Sequence, residues 1–192
     1  MLILGAWVSD SFTRARDNAM FVLGWAGICS WLELLAKCWE HVVFCEGRGV
    51  VLFFPSFLTD PSFGAAVAWV LVARAPGHAR AICPVRTLRD LQSYFLPATG
   101  PLFRLGHESA HALSKTTVGV WLRKALQQAS IPRWDLYAAH SMRAEGATHA
   151  ARVGVPPRLV QAMGCWQCYA VRMYLYHSPS DLWGASGRML NA

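Results

Sequence analysis

Residues 140–176 hold a histidine and an arginine three apart, His140 and Arg143, then Trp166 after a Gly-Cys pair, then Tyr174 eight residues later. Positions i and i+3 of a helix share a face, so His140 and Arg143 can address one point in space. A guanidinium forks two hydrogen bonds to a phosphate, an imidazole exchanges a proton near neutral pH, and a phenol is a nucleophile able to attack phosphorus. In combination these residue types suit attack on a phosphodiester. Taken singly they carry little, since a Trp or Tyr at helical spacing is usually core and His-x-x-Arg is common.

Two other patterns have bland readings. "HESAH" at 107–111 spells the His-Glu-x-x-His zinc motif, which works only when one continuous helix aims both imidazoles at one metal. Gly106 precedes it and a helix start at Ser114 follows, so a loop is expected and a zinc hydrolase is a distant third reading. "CWQC" at 165–168 is a lone Cys-x-x-Cys without a second pair at zinc spacing, and packing thiols are expected. No metal and no cofactor is therefore assigned.

The elements that must position His140, Arg143, Trp166 and Tyr174 follow from patterning. The chain has 192 residues, 54% of them hydrophobic, enough for one domain with a real core; a single domain over 1–192 is expected. Between Asp17 and Glu33 the charge-free run is shorter than the roughly 18 residues of a spanning helix, so no membrane partner is expected. Six cysteines without regular pairing suit a reducing compartment, and an intracellular location is expected. The net charge of +7 suits an anionic partner such as nucleic acid.

Mixed three and four spacing over 12–45 predicts two helices, one ending near Gly27 to Ser30 and one over about 31–41. "GRGVVLFFPSF" (47–57) and "AAVAWVLVAR" (65–74) are rich in β-branched and aromatic residues and predict a small antiparallel sheet. A helix begins at Pro84, and another is capped by Ser114 with Val118, Trp121, Leu122, Ala125 and Leu126 on one stripe. A small-residue helix stops at Gly154 and a short one, opened by a proline pair, stops at Gly164. The fold class expected is α+β, mainly helical. Residues 178–192 read as a tail.

In order, "HSMR", "GATHAARVGVP", "AMGCW" and "MYLY" resemble the second conserved box of the tyrosine recombinase (phage integrase) family, with the nearest likeness to members carried by eukaryotic mobile elements such as cryptons and DIRS-like retrotransposons. Upstream, "GVVLFFPSFLTDPSFG" is similar to the family's strand pair and "ICPVRTLRDL" to its Cys-Pro-Val-Arg-x-Leu helix. The resemblance spans about residues 12–177. It implies the integrase-like catalytic domain of DNA breaking-rejoining enzymes, acting on double-stranded DNA in DNA recombination and integration, with a homo-oligomer on DNA as a further expectation. Tyr174 would form a 3′-phosphotyrosyl bond, with Arg143 and His140 stabilising the transition state and Trp166 bracing its oxygens. No metal or nucleotide is needed, because the covalent bond stores the phosphodiester energy. Tyr169 and Tyr176 are the neighbouring alternatives to Tyr174.

The pattern also has gaps. "CSWLEL" places Ser30 where the family has its first catalytic arginine, and "LTDP" places Leu58 where it has a lysine. Losing one preorganised charge costs roughly 10² to 10³ in rate, and losing a general acid roughly 10² to 10⁴. The resemblance thus implies an impaired enzyme unless Arg48, Lys37 or Lys115 substitutes; Glu145 also brings a negative charge two residues from Arg143. Little chain precedes residue 12, so the family's N-terminal DNA clamp is expected to be missing. A non-catalytic DNA-binding or scaffolding domain is the second reading.

Overall fold

The computed structural model describes residues 10–54, 68–138 and 140–166. Helix α1, Ser11–Ala26, starts where the Asp10 carboxylate accepts from the Thr13 amide at 2.8 Å and from its hydroxyl at 2.7 Å. Those two hydrogen bonds hold the Asp10 carboxyl below its usual range. Helix α2, Trp31–Leu35, follows after a four-residue turn. Next comes a three-stranded antiparallel meander, β1 (Val42–Cys45), β2 (Gly49–Phe54) and β3 (Ala68–Ala73), in spatial order β1-β2-β3. Four helices complete the fold: α3 (Pro84–Gln92), α4 (Lys115–Gln128), α5 (Ser141–Arg152) and α6 (Pro157–Met163).

Alternation of side chains along the strands sends Val50, Leu52, Phe54, Val70 and Val72 into the core, with Val50 opposite Val72 and Leu52 opposite Val70. The opposite face leaves Val43, Trp69 and Leu71 exposed. Beneath the sheet, Met20 and Leu23 of α1 pack with Leu88 and Leu91 of α3 and with Val118, Leu122 and Leu126 of α4. A second, smaller cluster of Ile28, Ala147, Ala150 and Val160 joins α5 and α6 to the end of α1.

Two expectations change. The second helix ends at Leu35 and not near 41, because Ala36 caps it and the chain then pairs with a distant segment. Leu102 N donates to Lys37 O at 2.7 Å and Trp39 N to Gly100 O at 3.0 Å. The residues that follow form β1, a strand that helical spacing over 12–45 did not anticipate. The other helices and the antiparallel β2–β3 pair stand as the patterning predicts, with Pro84 and Pro157 opening α3 and α6. "HESAH" lies in irregular chain between α3 and α4; the His107 ring packs against Phe12 and Phe95, and its Nε2 bonds Tyr94 O at 2.8 Å.

An interior ion pair ties three segments together. Arg16 Nε donates to Asp17 Oδ1 at 2.8 Å, Nη1 reaches the carbonyls of Arg104 and Leu105, and the guanidinium lies 4.4 Å from the Trp121 ring of α4. Burial raises the Asp17 carboxyl, with the hydrogen bond from Arg16 opposing.

Helices α1 and α5 meet closely, and a Cβ at Gly146 would run into the Trp25 carbonyl. Gly146→Ala should therefore lower stability by about 1–3 kcal/mol. Gly119→Ala, whose Cβ meets nothing within 4 Å in mid-α4, should raise it by up to ~1 kcal/mol. Urea unfolding of the two variants checks the pair, and equal effects would contradict this packing.

Candidate functional site

The site is assembled from three turns. At the end of α1 the chain passes through Ile28, whose φ of 53° is left-handed, an uncommon state for a β-branched residue. This directs Ser30 to the start of α2, where Glu33 N donates to Ser30 Oγ at 3.3 Å and Ser30 N donates to Glu33 Oε2 at 2.7 Å. That reciprocal pair is a capping box. It fixes the Glu33 carboxylate, and the same Oε2 accepts from Arg143 Nη1 at 3.2 Å.

Arg143 extends from the first turn of α5 and is 5% exposed. Its Nη2 donates to the Gly164 carbonyl at the end of α6, and its guanidinium carbon lies 4.4 Å from the centre of the Trp166 ring. Trp166 folds back over Gly164 so tightly that a Cβ there would overlap the ring. The intervening Cys165 is also left-handed, with φ 52°. Both turns that flank the guanidinium thus hold a non-glycine residue in a sparsely populated conformation, which tends to occur where structure serves a site.

His140 is the exposed residue preceding α5. Burial of part of the ring lowers its pKa from the usual value, and the positive charges of Lys115 and Arg143 lower it further against the opposing pull of Glu33. The shift favours the neutral imidazole. The structure brings Arg143 and Trp166 into contact and sets both Arg143 and Lys115 within electrostatic reach of His140. Tyr174, the alternatives Tyr169 and Tyr176, Leu58 and Cys168 lie outside the described residues.

Of the three candidate substitute cations, Lys115 at the start of α4 is exposed. Lys37 is buried, with Nζ donating to Phe53 O at 3.1 Å and lying 3.9 Å from the Phe54 ring; burial lowers its pKa. Arg48 lies in the turn between β1 and β2, at the far end of the sheet from Phe53. Glu145 is exposed on α5 while Arg143 is buried. Sequence reasoning missed that Glu33 anchors Arg143. The Ser-x-x-Glu spacing signals the capping box, but nothing local signals a contact spanning 110 residues. Among the described residues no cluster of three or more His, Cys, Asp and Glu is placed to hold a metal.

No protein-family model matches the chain, and no curated protein matches it. Solved structures do. The XerH site-specific recombinase in a post-cleavage complex with palindromic difH substrate superposes with a TM-score of 0.73 at 15% identity, over 96% of this chain and 48% of that one. The fold is that of a tyrosine recombinase catalytic domain. XerA recombinase matches with a TM-score of 0.70 at 18% identity, over 97% of this chain and 61% of its own. Flpe, in a complex with a Holliday junction, matches at 0.61 and 14% identity, over 93% and 49%. The chain thus spans about half the length of the XerH and Flpe chains. Helices around a small antiparallel sheet are what these recombinase domains share with it.

Removing one member of a buried ion pair strands the other, at a cost of about 3–5 kcal/mol. Glu33→Ala should lose most of that in urea unfolding, and Glu33→Gln, which keeps an acceptor for Ser30 N, should lose less. Equal losses would mean that the charge on Glu33 is immaterial. Because His140 titrates lower in the folded chain, the unfolded chain binds more protons below about pH 6.5. Stability should therefore fall as pH drops through that region, and His140→Asn should flatten this slope in denaturation curves taken at several pH values.

Proposed function

We propose that this chain is a tyrosine recombinase-like domain that binds double-stranded DNA and belongs to the machinery of DNA recombination and integration. The observation that carries the reading is a buried guanidinium, Arg143, braced by Trp166 within a recombinase catalytic fold. Neighbours of this fold were solved with DNA, XerH on its difH substrate and Flpe on a Holliday junction, and the net charge of +7 suits the same partner. His140, within electrostatic reach of both Arg143 and Lys115, supplies a proton-exchanging group, and Lys115 adds positive charge near it.

In this reading the Tyr174 hydroxyl attacks a backbone phosphorus, the 3′-phosphate becomes esterified to the tyrosine, and the 5′-oxygen leaves with a proton. The reverse attack by a 5′-hydroxyl reseals the strand. Arg143 and His140 stabilise the transition state, with Trp166 bracing it. Ser30 and Leu58 in place of the family's arginine and lysine make turnover slow, and a mobile-element origin and a nuclear location accompany the resemblance. Lys115 is the cation best placed to offset part of the loss. The second reading, a DNA-binding scaffold without turnover, is favoured by the engagement of both Arg143 Nη atoms with Glu33 and Gly164.

Nicked suicide duplexes separate the two. A covalent protein–DNA adduct on a denaturing gel, lost in Tyr174→Phe, is expected for a slow strand transferase; salt-sensitive duplex binding without adduct identifies the scaffold. Ser30→Arg combined with Leu58→Lys should raise adduct yield at the expense of about 1 kcal/mol of stability, since Ser30 caps α2. A protein that binds no duplex at low salt would defeat both readings.

A further inference from the structure

A groove of about 660 Å³ opens between the β1–β2 turn and α3. It lies at the Gly49 end of β2, whereas the Lys37 ammonium beside α2 bonds the carbonyl of Phe53, roughly 13 Å further along that strand. Arg74, Arg86 and Arg89 all line it, with Glu46 as the acidic member, so its lining carries a net positive charge. All three arginines are exposed.

Their present partners are ones an anion can displace. Arg86 pairs with Asp90 at 3.5 Å, and both side chains are about half exposed, the setting in which an ion pair contributes little. Arg89 donates to Gln92 Oε1 at 2.9 Å and lies 3.8 Å from the centre of the Phe44 ring. Guanidinium forks match phosphate geometry. A basic channel with an aromatic face is the general means of holding a single nucleic acid strand, the charges following the backbone and the ring offering a stacking surface. The groove's volume of about 660 Å³ suits a short stretch of single strand.

We propose that this groove binds single-stranded nucleic acid through its phosphodiester backbone, at a place separate from the Arg143 site. Arg74, Arg86 and Arg89 would each meet a phosphate, and Phe44 would face a base once Arg89 turns towards its phosphate. The inference does not need the recombinase reading.

The test uses the full chain and a short fluorescent oligothymidylate. Arg74→Gln, Arg86→Gln and Arg89→Gln together should weaken binding at least tenfold at low salt. The slope of log affinity against log salt should become shallower by about two, since each lost phosphate contact on a single strand removes about 0.7. A second readout needs no substitution: Cys45 lines the groove and is partly exposed, so bound oligonucleotide should slow its alkylation, followed by mass spectrometry. Unchanged affinity in the triple variant, or alkylation of Cys45 that oligonucleotide does not slow, overturns the proposal. Protection by polyglutamate equal to that by oligothymidylate overturns the nucleic-acid assignment in favour of an acidic peptide. Duplex binding is measured alongside; its absence would sink the recombinase reading while the oligothymidylate result still decides the groove.

Discussion

The architecture around the site depends on one contact, the ion pair between Glu33 and Arg143. Two charges removed from water carry a heavy desolvation cost that direct attraction offsets only when the remaining polar atoms are also satisfied. Here the carboxylate is fixed by the Ser30 amide and the guanidinium by the Gly164 carbonyl and the Trp166 ring. The pair therefore couples the turn after α1, the first turn of α5 and the turn after α6. The pair adds to the apolar cluster of Ile28, Ala147, Ala150 and Val160 that packs the same segments together.

Ser30 has a definite physical task in this arrangement. It caps a five-residue helix too short to be stable alone, and its capping box aims Glu33 at Arg143. The Ser30 side chain thus serves to organise negative charge beside Arg143. The consequence is electrostatic: Arg143 is held towards the interior by a carboxylate, and a phosphate approaching it must compete with Glu33 or share the guanidinium with it.

Among the described residues, positive charge is found both in the interior and on the surface. Arg16, Lys37 and Arg143 are buried and act on the inside, pairing with carboxylates, strand carbonyls and aromatic rings. Lys115 and the arginines of the α3 groove are exposed to meet anions from solvent. Net charge counts both alike, yet only the exposed residues can be reached by an anion from solvent, and only the buried ones must be kept paired for the fold to persist.

Much of the scaffold was legible from residue order because its causes are local. Ser114 and the Val118–Leu126 stripe mark α4, Pro84 opens α3, Pro157 opens α6, and β-branched runs mark β2 and β3. Each of these reads from a few neighbouring residues. Strand β1 was not legible, since "VVFC" alone carries no helix or strand period and becomes a strand only by pairing with β2. The same divide runs through the site. Residue types and their order raised the expectation that His140, Arg143 and Trp166 serve phosphate chemistry. Tertiary structure alone decided that Arg143 is buried on Glu33, that Lys115 and not Arg48 stands by His140, and that three arginines from β3's end and α3 converge on one groove. A cap or a turn is set by atoms a few bonds apart, whereas an ion pair across 110 residues exists only after the chain has closed that loop and removed both charges from water.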